Sequence, residues 1–241
     1  MPKDQPASIH PRQFELTEPM KTLWRAALAD AGILPGEALV YPFPGTQSST
    51  EQFSAVTWLP GRVDGIQDPE VDAIVGELNH SESVRTTRVA VWIDRSEPDV
   101  AGLTRHELQH ALQFAAERRL ARLHEIAEDV VRLAADSAER YQLIPTEMDA
   151  NRAASQFVRS YFPDVGVDEM IGDQDSALRR DPGPEIPLET LPEQMILFLV
   201  DNGGLCEQWA GTKADMRRRL NSAWPGAGDI WEAALKGESP T

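Results

Sequence analysis

The stretch Arg88-Val-Ala-Val-Trp-Ile-Asp94, followed at once by Ser96-Glu-Pro-Asp99 and then by His106-Glu-Leu-Gln-His110, sets the expected fold. In its first part Val89, Val91 and Ile93 alternate with Ala90, Trp92 and Asp94, the period of two expected of a strand. Ser96 then reads as a helix N-cap, with Pro98 in the first turn and Asp99 in the capping-box position. The helix that follows places His106 and His110 on one face, about 6 Å apart along the axis.

Working outward from that helix, two imidazoles at this spacing can bind one zinc ion, with Glu107 beside them to move a proton. The chain holds five histidines in 241 residues. At that frequency the motif arises by accident in about one chain in a hundred, so a solvated helix face is the competing reading. The strand before the helix suits the chemistry, because an extended peptide can pair with a strand edge beside a metal.

A third ligand has to come from elsewhere. Position 113 is Gln and position 116 is Ala, so no histidine follows one turn beyond the pair. Glu117 is about 10 Å of helix past His110, too far for one ion. His124 falls in a polar pattern with Arg118, Arg122, Glu125, Glu128 and Asp129 and reads as a surface residue. Glu147 fits better. In Ile144-Pro-Thr-Glu-Met-Asp-Ala-Asn151, Thr146 reads as an N-cap and Asp149 as its capping-box partner. Glu147 then takes the first helical position, where the macrodipole favours an ionised carboxylate. Asn151, one turn on, is placed to support a ligand by hydrogen bonding. A plain first-turn acid remains the alternative for Glu147, and packing the first reading for Tyr141 and Tyr161.

His106-Glu-Leu-Gln-His110 with Glu147-Met-Asp-Ala-Asn151 resembles the gluzincin pattern, in which His-Glu-x-x-His precedes Glu-x-x-Ala-Asp or Glu-x-x-Ala-Asn. Small bacterial and phage peptidases of the ImmA type look nearest. The resemblance covers about residues 87 to 160. It implies a zinc metallopeptidase with His106, His110 and Glu147 as ligands, Glu107 as general base and Asn151 in support, acting on a peptide or protein. The chain departs from the pattern in the long insert between His110 and Glu147, and in lacking a Tyr or His matched to the residue that steadies the tetrahedral intermediate. A non-catalytic zinc-binding regulatory protein on the same scaffold is therefore a second expectation, and a helical interaction protein with an accidental motif a third.

Composition bounds the rest. The net charge of −16 argues against a nucleic-acid partner, which needs a basic stripe. Arg217-Arg218-Arg219 reads as structural, in the last turns of a helix. One cysteine, Cys206, excludes an internal disulfide, and the start of the chain lacks the apolar core of a signal peptide. The longest apolar run, Met195 to Val200, is far too short to span a membrane. These features predict a soluble cytoplasmic protein without membrane contact.

Along the chain, residues 1–16 read as loose. A helix is expected from Thr17-Glu18-Pro19 to about Asp30, strands at 38–43 and 53–59, a turn at 45–51 and a short helix at 68–78. After the motif helix, helices are expected at about 121–140 and from Thr146 to about Tyr161. The expected architecture is α+β, a small twisted zincin-like sheet packed on the motif helix. It would occupy residues 1–161, with a linker at 162–190 and a C-terminal helical extension at 191–241 of three short helices, with Pro192, Thr212 and Gly228-Asp229 near their starts. Trp209, Trp224 and Trp231 are expected to pack that extension.

Overall fold

The computed structural model describes residues 18–34, 38–43, 55–58, 87–92, 97–164 and 186–237. The expected loose segment 1–16, the turn at 45–51, the helix at 68–78, the cap Ser96 and most of the 162–190 linker lie outside these residues.

The helices are α1 (Glu18–Asp30), α2 (Glu97–Ala116), α3 (Arg118–Val131), α4 (Ser137–Gln142), α5 (Pro145–Tyr161), α6 (Leu191–Asp201), α7 (Gly203–Ala210), α8 (Lys213–Ala223) and α9 (Ala227–Leu235), with a 3-10 turn at Leu188–Thr190. The strands are β1 (Ala38–Phe43), β2 (Ala55–Trp58) and β3 (Thr87–Trp92). The described residues are mostly helical, and this corrects the α+β expectation of a zincin-like sheet packed on the motif helix.

The physical reason lies in the partners. Six, four and six residues long, the strands pair in the order β1-β3-β2, β1 parallel and β2 antiparallel to β3. Their main contacts are with one another, whereas helices pack on helices. Helix α2 is buried almost all round, at Val100, Ala101, Thr104, Arg105, Glu107, Leu108, Gln109, His110, Ala111, Gln113 and Phe114. A helix laid on a sheet would bury one stripe and solvate the other. Alternation at Val89 and Val91 thus marks a strand, with both residues buried, but does not make the sheet the organising layer.

Two compact units are present, residues 1–111 with 157–166, and residues 112–156 with 167–241. In the first, the buried residues include Leu23, Trp24, Ala27, Val89, Val91, Leu108, Phe157 and Val158. Arg105 Nε donates to Asp30 Oδ2 at 2.7 Å, tying α2 to α1. Gly102 lets α2 approach the end of α5, since a Cβ there would stand 3.4 Å from Val158 Cγ2.

The second unit is a cluster of amphipathic helices. Helix α3 packs on α6, α7 and α8, and α9 packs on α6 and α8. Leu120, Leu123, Ala127 and Val130 of α3 are buried, as are Leu191, Met195, Leu199, Met216, Leu220 and Trp231 further on. Trp231 Nε1 donates to Leu199 O at 3.2 Å, so the indole buries its area without stranding its N–H. Cys206 on α7 is buried and its Sγ reaches the same Leu199 O at 3.3 Å, and burial pushes its thiol up to about 12. Thr212 caps α8, its Oγ1 accepting from Asp215 N at 3.1 Å. The arginine run sits mid-helix on α8 rather than in its last turns. Arg217 pairs with Asp229 and Glu232, Arg218 pairs with Asp215, and Arg219 stands 4.5 Å over the Trp209 ring.

The helix expected at 121–140 is two helices, α3 and α4. Glu117 starts the first of them, its side chain accepting from Arg119 N at 3.1 Å as the N-cap. Among the described residues no helix is long and apolar enough to cross a membrane.

Candidate metal centre

Helix α2 supplies the histidine pair. The His106 and His110 rings are 4.7 Å apart between centroids and nearly perpendicular, at 80°. Their Nε2 atoms come within 3.1 Å of each other. His110 and Glu107 are buried, and His106 is half-buried.

Glu147 comes from the first turn of α5 and is 2% exposed. The helix begins at Pro145, two residues before the first helical position the sequence suggested, with Met148 N bonded to Ile144 O. Proline suits this place, since its missing N–H would have no helical partner there. Thr146 is therefore inside the helix and does not cap it, and Asp149 closes no capping box. The hydroxyl of Thr146 meets His124 Nδ1 at 2.7 Å. Asp149 is buried and accepts from Gln113 Nε2 at 2.9 Å and from Arg152 at 2.8 Å. Gln113 Nε2 also reaches Thr146 O at 3.0 Å. Gln113 is fully buried, and its amide anchors the turn that carries Glu147 to the helix that carries the histidines.

His124, expected on the surface, is buried. It falls in the apolar stripe Leu120, Leu123, Ala127, Val131 of α3, with Phe114 tilted against its ring at 5.6 Å. Arg118, Arg122 and Asp129 are exposed on the other side of the helix, while Glu128, one turn on, shares the face of His124. Its Nε2 lies 3.6 Å from Glu147 Oε1 and 3.6 Å from Glu128 Oε1. Burial alone would raise the Glu128 carboxyl, but the His124 hydrogen bond and charge, helped by Arg132, leave it below the ordinary value. Tyr141, read as a packing residue, donates its hydroxyl to Glu147 Oε1 at 2.9 Å. Asn151 Nδ2 donates to Gln142 Oε1 at 2.7 Å.

One ligand atom each from His106, His110 and Glu147 lies within 4.8 Å of the others. This buried two-imidazole, one-carboxylate set can hold a metal ion. The donor chemistry fits a divalent cation. Tetrahedral zinc at about 2.0–2.1 Å from each donor places those donors about 3.3 Å from one another, and the two Nε2 atoms stand at 3.1 Å. The same spacing also suits an N–H···N hydrogen bond between the rings in the absence of a cation.

Among known proteins, no family model, no curated relative and no solved structure matches the chain.

Proposed function

We propose that this protein is a zinc-dependent peptidase of gluzincin type, working on a peptide or protein substrate in a reducing cytosolic setting. The observation that carries the reading is the convergence of His106, His110 and Glu147, three donors separated in sequence but within 4.8 Å of one another. Zinc is favoured by the nitrogen and oxygen donor set and by the three-ligand count, which leaves a coordination position for chemistry. When bound there, the ion supplies Lewis acidity that polarises a carbonyl and makes water more acidic at neutral pH.

The chain's own residues do the rest. His106 and His110 bind through Nε2, and Glu147 adds the negative charge that balances the cation. Glu107, next to His106 and buried with the cluster, accepts the proton of the attacking water and delivers it to the leaving amine. Burial strengthens both the ligation and the proton transfer by excluding competing water.

Metal analysis and peptide-library digestion test this together. The parent chain is expected to carry about one equivalent of zinc, and Glu147→Ala to carry far less. Glu107→Gln is expected to keep the metal and lose about 10²- to 10⁴-fold in turnover. A metal-loaded parent that cleaves nothing would point to a non-catalytic zinc protein. A parent that takes up no cation would refute the site altogether.

A further inference from the structure

Among the neighbours of the Glu147 carboxylate are a tyrosine and a histidine beside the same oxygen. Tyr141 Oη donates to Oε1 at 2.9 Å, and His124 Nε2 stands 3.6 Å from that atom. We propose that Tyr141 and His124 are positioning residues that orient the Glu147 carboxylate and thereby set the cation affinity of the His106–His110–Glu147 cluster. This rests on the metal site proposed above.

A free glutamate side chain loses rotamer freedom when fixed. If neighbours already fix it, a cation need not. Carboxylate ligands elsewhere are hydrogen-bonded for this reason, and removing such a partner weakens metal binding about 10- to 100-fold.

Each neighbour is itself braced. Tyr141 sits on α4, whose preceding residue Arg140 pairs with Asp136 at 2.7 Å and donates to Asn202 Oδ1 at 2.7 Å. These contacts tie the short helix to the end of α6. His124 is set in the apolar stripe of α3, and its Nδ1 bond is to Thr146, the residue adjacent to Glu147. The turn that presents the ligand therefore also orients the ring beside it. His124 is outside the cluster of mutually close donors, so it acts through Glu147 and not as a ligand.

The test uses the full chain, stripped and then titrated with zinc against a chromogenic chelator. Tyr141→Phe removes only the hydroxyl. His124→Asn keeps a donor near the Nδ1 position for Thr146 and removes Nε2. Each variant is expected to bind zinc about 10- to 100-fold more weakly, and each cobalt-loaded form to show a shifted visible spectrum. The metal-free melting temperature of Tyr141→Phe is expected to stay near that of the parent, whereas a purely structural tyrosine would lower it and leave affinity alone. Parent-like affinity in both variants overturns this inference and leaves the metal site standing. Failure of the parent to bind zinc overturns both. Should His124→Asn not fold, Tyr141→Phe decides.

Discussion

Two stretches of this chain both bury an apolar core, but only one of them buries many polar side chains beside it. Between residues 104 and 155 the buried set includes Thr104, Arg105, Glu107, Gln109, His110, Gln113, His124, Thr146, Glu147, Asp149, Arg152 and Ser155. Between 191 and 231 it is Leu191, Met195, Ile196, Leu199, Cys206, Met216, Leu220, Ala223, Ala227 and Trp231, with Asn202 the polar member among the described residues. The second is what a core built for stability contains, since apolar burial contributes roughly 25 cal/mol per Å². The first is costly, because a buried polar group without a partner loses about 1–3 kcal/mol. Polar groups so concentrated, and bonded to one another, signal a site. The difference teaches that both stretches supply apolar stability, and that the first spends some of it on a cluster of buried polar groups that could hold a metal ion.

Three substitutions probe that division. Trp231→Ala should cost most, about 3–5 kcal/mol of unfolding free energy in denaturant titration. Trp231 is fully buried and its indole closes the packing of α9 on α6. A small change would mean that the helices after 191 do not form a tight apolar core. Gln113→Ala should cost about 1–3 kcal/mol, leaving Asp149 Oδ2 and Thr146 O short of a donor. It should also weaken zinc binding, unlike any substitution in the apolar stretch that stays folded. If zinc affinity is untouched, the polar network is structural only. Thr212→Ala should cost least, about 1 kcal/mol, through loss of the α8 N-cap. Its zinc affinity should equal the parent's.

How much of the site could be read from sequence varied with the range of the interaction. His106, Glu107 and His110 were legible because spacing along a helix is local geometry, and the helix bearing them was well signalled. Glu147 was legible as a first-turn acid in a later helix. His124 was misjudged because its neighbours in sequence are charged. The better signal was the four-residue spacing to Leu120 and the three-residue spacing to Ala127, which place it on the buried face. Tyr141 and Gln113 carried no such signal, since each acts on a partner far along the chain or across a turn.

The fold shows the same limit. The alternation at Val89 and Val91 identified β3, but not that β1, β2 and β3 would contact chiefly each other while the helices packed among themselves. Thr146 looked like a cap because Thr-Glu-Met-Asp fits the capping pattern. Pro145 started the helix earlier and freed the hydroxyl for His124.

By itself, then, the sequence determined the periodic elements: the histidine pair on one helical face, the apolar stripes, and the caps whose partners lie within a few residues. The tertiary structure alone decided that the helices dominate, that His124 and Tyr141 face Glu147, and that Glu147 meets the two imidazoles. Hydrogen bonds and periodicity within a turn are fixed by the backbone. Contacts between elements depend on how all the apolar faces are buried at once, and no local pattern contains that sum.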